Sequence, residues 1–244
     1  MSEPDKRLTL RVGQASAGEN LRRAIETGDV VETADGKLHL AGERKASSTW
    51  VYVDHGPSLG CSFLMYFMFD HVYAHSAVPH GCSACYKVKV VLRTLRELVA
   101  AWQIGKKIQC RSKWGTDLGN PFSQNVYAGY LYTSGLEGAR AVFKVMREAV
   151  DADPKLGAGI AMTIKRGCSE YEIEVGPSDR YEFTPEMAEL ETYLKARFEK
   201  PDQPLNQALV LANWIDLAYR LGDDTYLDFT EGRRRRAKTL TYTP

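Results

Sequence analysis

An α+β chain organised on a ferredoxin-like split βαβ core over about residues 84–165 is predicted by three features of that stretch. Residues 84–92 alternate, with Tyr86, Val88 and Val90 on one face and Lys87 and Lys89 on the other, which is the period of a strand. Thr94-x-x-Glu97 is a capping box, and Leu95, Leu98, Val99 and Trp102 behind it form one helical stripe to about residue 104. The remaining segments then complete the order strand, helix, strand, strand, helix, strand. They are a short strand at 106–111, an aromatic strand at 126–133, a helix at 136–150 and a strand at 159–165.

The flanks are read in the same way. Residues 1–17 are a polar arm, 19–27 a short helix, and 29–40 a hairpin, because Asp35-Gly36 is a strong turn signal. A charged loop at 43–48 leads to a β-rich segment at 49–53. Residues 61–73 are apolar almost throughout, so they are core, but their periodicity does not separate helix from strand. Residues 168–175 alternate like an edge or hairpin strand. The segments 185–198 and 205–221 are helical, with Pro185 suited to a first turn and Pro201 and Pro204 between them, giving a C-terminal helical hairpin. Four regions follow: 1–48, an arm with a helix and hairpin; 49–183, the α+β core; 184–228, the helical hairpin; and 229–244, a basic tail.

Composition narrows the class. The 244 residues are 44% hydrophobic and 26% charged, which is ordinary globular composition. The longest apolar run, Phe63 to Phe69, falls far short of the roughly 20 residues that cross a bilayer. The N-terminus has no apolar signal core, so a cytoplasmic location without membrane contact is expected. Five cysteines in a reducing compartment point to metal or thiol chemistry rather than a disulfide framework. With a net charge of +1, affinity for nucleic acid has to come from local patches.

Gly56-Pro-Ser-Leu-Gly60 imitates the G-x-S-x-G elbow of hydrolases. That fold brings its histidine late in the chain, whereas every histidine here lies at or before His80, and no repeated βα units surround the motif. Ser58 is rejected as a nucleophile, and no catalytic residue is assigned.

The metal expectation rests on Cys82-x-x-Cys85, with Cys110 and Cys168 each at the end of an expected strand or next to it. Strand ends remote in sequence meet in a split βαβ unit, so four thiolates would converge. His71-x3-His75 and His80 offer alternative ligands that need less chain closure. Zinc is the expected ion, with a [4Fe–4S] cluster as the alternative. C-x-x-C redox chemistry is disfavoured, because that motif opens a helix and this one precedes a strand.

Basic residues flank the thiols: Lys87 and Lys89; Lys106, Lys107, Arg111 and Lys113; and Lys165 with Arg166. Tyr130 and Tyr132 share a strand face where aromatics stack on bases. Arg233, Arg234, Arg235 and Arg236 form an arginine run near a chain end. Together these predict a metal-stapled protein that contacts the phosphate backbone of RNA or DNA, as a non-catalytic subunit docked to other protein subunits of a nucleoprotein complex. The alternatives are an enzyme or maturation factor using the metal directly, and a protein–protein interaction module.

Overall fold

The computed structural model describes residues 5–41, 49–55, 60–118, 125–199 and 206–235. Ser58, Arg236 and the 43–48 loop lie outside them. The chain is an α+β protein with a five-stranded antiparallel sheet and two small hairpins.

Strands β1 (Arg11–Val12) and β2 (Ala15–Ser16) pair ahead of helix α1 (Ala17–Glu26). A full capping box starts α1: the Ser16 hydroxyl accepts from Glu19 N–H, and the Glu19 carboxylate accepts from Ser16 N–H. Strands β3 (Val30–Glu32) and β4 (Leu38–Leu40) form the expected hairpin, with Gly36 in the left-handed region its turn requires.

Strand β5 (Trp50–Val53) enters the main sheet. The segment whose period was ambiguous is a π-helix, Ser62–Val72. Its buried residues Phe63, Phe67, Met68 and Val72 recur every four to five positions, matching the wide turn of i→i+5 bonding. The Tyr73 N–H to Met68 carbonyl bond of 2.7 Å closes the last such turn.

The central unit follows as β6 (Cys85–Leu92), α2 (Leu95–Gly105), β7 (Ser112–Thr116), β8 (Tyr127–Ser134), α3 (Gly135–Ala152) and β9 (Ala161–Arg166). The sheet order is β5-β7-β8-β6-β9, and every neighbouring pair is antiparallel. Helices α4 (Ser169–Glu174), α5 (Pro185–Arg197) and α6 (Gln207–Leu221) complete the described chain. Among the described residues no helix is long and apolar enough to cross a membrane.

One face of the sheet is the core. Val88, Val90, Leu92, Trp114, Tyr127 and Leu131 pack there with Leu95 and Leu98 of α2, Met146 and Val150 of α3, and Trp214 of α6. Trp114 fits because the residues around it are glycines: a Cβ on Gly105 or Gly129 would overlap its indole. Gly129→Ala is therefore expected to cost at least the ~1–3 kcal/mol typical of overpacking, read as a lower urea midpoint with an unchanged slope.

Three expectations are corrected. The second strand of the central unit is Ser112–Thr116, not 106–111, because α2 runs on to Gly105 and Lys106 is its C-cap. Residues 169–174 are helix α4 rather than strand; Tyr171 is buried, but Ile173 is exposed, so the alternation did not track burial. The two C-terminal helices serve different cores. Met187, Leu190 and Leu194 of α5 join α1 and the π-helix, whereas Val210, Trp214 and Ala218 of α6 join the sheet core.

Candidate nucleic-acid interface and thiol cluster

Antiparallel pairing fixes which side chains share the face opposite the core, since directly paired residues point to the same side. One row across the sheet reads Tyr52, Lys113, Tyr130, Lys89, Thr163, and the next reads Tyr132, Lys87, Lys165. Six of the residues singled out from sequence thus occupy one face: Lys87, Lys89, Lys113, Lys165, Tyr130 and Tyr132. Trp50 of β5 joins them, with its ring 5.8 Å from that of Tyr130, and the sequence had marked no function for it.

Three ammonium groups ring Tyr130. Lys87, Lys89 and Lys113 lie 5.9, 5.9 and 5.0 Å from its centroid, and Lys113 also stands 4.1 Å from the Trp50 ring. These contacts are within cation–π range. Tyr130 is anchored by its hydroxyl, which donates to Asp117 Oδ2 at 2.7 Å. Burial, then the Asp117 contact, pushes its phenol well above the ordinary range. Among the described residues none of the three lysines forms a salt bridge with a carboxylate. Burial, followed by the neighbouring positive charge of Lys87, depresses the Lys113 ammonium; Lys89 is depressed by burial, with Lys165 and Lys87 adding to it. The Asp117 carboxylate opposes the depression of both, and Lys87 is partnered by the Cys168 sulfur.

Other predicted contacts are placed differently. Lys165 is on the face but is engaged by Glu172 and by Ser169 Oγ at 2.9 Å. Arg111 pairs with Asp54 at 3.1 Å beside the same face. Arg166 is a structural strut, donating to the Ser178 and Ser83 carbonyls amid Tyr86, Tyr181 and Phe183. Lys106 and Lys107 end α2, whose residues pack on the opposite, core side. Lys106 lies over the Trp102 ring at 4.4 Å, and Lys107 borders an apolar groove of about 690 Å³ with Val142 and Val145 of α3. In the tail, Arg233 pairs with Glu231, Arg234 with Asp224 and Arg235 with Asp216, all exposed. Exposed pairs contribute only about 0–1 kcal/mol, so a phosphate can displace them.

The thiols gather at one end of this face. Cys82 packs in a small core with Phe69, Val78 and Tyr171, and Cys85 and Cys168 pack against it. Cys82 Sγ is 3.4 Å from the Tyr171 hydroxyl, and Lys87 Nζ donates to Cys168 Sγ at 3.0 Å. Cys168 follows Gly167, whose N–H bonds the Cys85 carbonyl at 2.9 Å. Burial first, then the Cys168 and Cys61 charges against Lys87, raise the Cys85 thiol to about 11. Cys61, which the sequence reading left outside the ligand set, heads the π-helix whose Leu64 and Met65 pack against the same small core. Although the residue is exposed, protein packed around its sulfur pushes the thiol upward, with Cys168 next in effect.

Cys110 is not in this group. With the strand beginning at Ser112, Cys110 has the parity of Ser112 and Trp114, so it enters the core beneath the sheet, where its thiol meets the Tyr132 carbonyl at 3.2 Å. The histidines are occupied otherwise. His75 stacks on Phe69 at 4.9 Å and faces Asp70, and the His80 ring meets the edge of Phe183. His71 is at the end of the π-helix. Among the described residues no three His, Cys, Asp or Glu side chains are close enough to hold an ion in the arrangement seen.

Cys61 shares a sequence setting with two of the other cysteines. Gly-Cys-Ser occurs three times, at 60–62, 81–83 and 167–169, while Cys110 stands in Gln-Cys-Arg. Those three cysteines, with Cys85, are the ones that the fold brings into one neighbourhood. No protein family, no curated protein and no solved structure matches the chain.

Proposed function

We propose that the chain is a non-catalytic nucleic-acid-binding subunit that takes single-stranded RNA or DNA on the open face of a ferredoxin-like sheet. The strand order β7-β8-β6-β9, with a helix crossing from β6 to β7 and another from β8 to β9, supports that fold name. The observation that carries the function is the pair Lys89 and Lys113 beside Tyr130, neither of them salt-bridged to a carboxylate among the described residues, with Trp50 bordering them. Phosphates supply the missing negative charge, and bases have aromatic rings to stack on.

A sheet face of this kind favours splayed bases over duplex, because stacking on a side chain needs an unpaired base. The test is fluorescence anisotropy with labelled single strands of RNA and DNA and with their duplex, across a salt series. The single strands should bind more tightly than the duplex, with a log–log salt slope near −1.4, at about −0.7 for each of two phosphates. Equal duplex affinity, or a slope near zero, would remove the proposal. Preference for RNA or for DNA then identifies the nucleic acid.

A further inference from the structure

We propose that Cys61, Cys82, Cys85 and Cys168 are the ligands of a four-thiolate metal centre of zinc or of iron and sulfide, and that Cys110 is not a ligand. This goes beyond nucleic-acid binding and does not depend on it.

Two independent observations point there. The first is the shared Gly-Cys-Ser setting of Cys61, Cys82 and Cys168, combined with packing: Cys82, Cys85 and Cys168 share one small core, and Cys61 heads the π-helix whose Leu64 and Met65 pack against it. Gly60 and Gly167 have φ of +64° and +65°, so two of the three cysteines directly follow a left-handed glycine. Such a residue turns the backbone toward the sulfur without a side chain in the way. Gly81 is confined as well, since a Cβ there would stand 2.7 Å from Leu64 Cδ2. Cys85 supplies the fourth sulfur from the first residue of β6, tied through its carbonyl to Gly167.

The second observation is Lys87. It is 8% exposed, and among the described residues its hydrogen-bond acceptor is the Cys168 sulfur. A buried ammonium requires a negative partner. Four thiolates around one divalent ion carry a net charge of −2, and Lys87, already donating to Cys168 Sγ at 3.0 Å, offsets part of it. Forming the centre requires the sulfurs to close in from the spacing seen. Cys61 opens the π-helix and Cys168 precedes the six-residue α4, so both sit at element ends, where small shifts disturb little packing.

The full chain purified without oxygen provides the test, as wild type, Cys61→Ser, Cys61→His and Cys110→Ser. Zinc, iron and acid-labile sulfide are measured per chain, and metal-free protein is titrated with cobalt. Wild type and Cys110→Ser should carry about one zinc, or about four iron with sulfide. Both should show the full thiolate-to-cobalt charge-transfer band. Cys61→Ser should bind at least tenfold more weakly, and Cys61→His should recover binding with a band reduced by one thiolate. Zinc assigns a single-ion staple, and iron with sulfide assigns a cluster. The inference is overturned by a wild type with neither metal nor a thiolate–cobalt band. It is equally overturned if Cys61→Ser or Cys61→His keeps the wild-type metal content and band, or if Cys110→Ser loses as much as Cys61→Ser. Circular dichroism checks folding, and Cys61→His decides if the serine variant does not fold.

Discussion

The double substitution Lys89→Gln/Lys113→Gln is expected to weaken binding of a single-stranded oligonucleotide by roughly a hundredfold. Each lysine contributes a charge-assisted contact of about 1.5 kcal/mol at the low end, and about 1.4 kcal/mol is a factor of ten. The loss should be even across sequences and flatten the salt slope by about 1.4, because phosphates rather than base edges are held. Lys106→Gln/Lys107→Gln, on the core side of the sheet, should leave affinity unchanged. An equal loss in both variants would mean diffuse attraction rather than a built face. The direction of the pH effect also follows. Burial and like charge hold the Lys89 and Lys113 ammonium groups below the ordinary lysine range, so binding should decline with rising pH earlier than unperturbed lysines would allow.

Glu191→Ala should produce the largest loss of stability among single substitutions outside the sheet core. The Glu191 carboxylate, on α5, accepts from the backbone N–H of His80 at 2.5 Å and of Gly81 at 2.8 Å, and from the Tyr73 hydroxyl at 3.0 Å. It fastens the loop that carries Cys82 to the N-terminal core. Removing it leaves the buried Tyr73 hydroxyl without an acceptor, at about 1–3 kcal/mol, and frees two part-buried N–H groups at a smaller cost, a large share of a typical 5–15 kcal/mol total. Glu191→Gln should be intermediate, since the His80 and Gly81 N–H groups bond different oxygens and the amide NH2 would meet one of those donors. Burial raises the Glu191 pKa, and the three hydrogen bonds and His80 only partly oppose that. The protonated form is therefore favoured in the fold. This contribution is fully present below the ordinary 4.5 and is lost as pH rises through the elevated value. Chemical denaturation at stepped pH should show wild-type stability falling over that window and a flatter profile for Glu191→Gln.

What was legible in the sequence follows from how each element is buried. Strands β6 and β8 alternate because one face is core and the other carries Lys87, Lys89, Tyr130 and Tyr132, so the residues of that second face could be read with the strand. Strand β7 was displaced in the reading because Ser112-Lys-Trp-Gly-Thr116 has weak strand propensity. It is held by Trp114 and the glycines that accommodate it, a relation between distant residues that no local pattern carries. That displacement is also what drew Cys110 into the expected ligand set. The π-helix escaped because its buried residues do not follow the ordinary helical period. The role of α5 escaped because its apolar stripe looked the same whichever core it was to join.

The π-helix has one more consequence. Its Phe63, Phe67, Met68 and Val72 belong to the N-terminal core, while Phe69, from the same turns, packs edge-on against Tyr171 at 4.6 Å in the thiol neighbourhood. One rod of backbone therefore belongs to two apolar centres, and neither can open while the other keeps the rod in place. The arm-and-hairpin region and the thiol corner are therefore expected to unfold as one cooperative unit. Whatever tightens the sulfur end slows solvent exchange at the amides of α1, far along the chain from any cysteine.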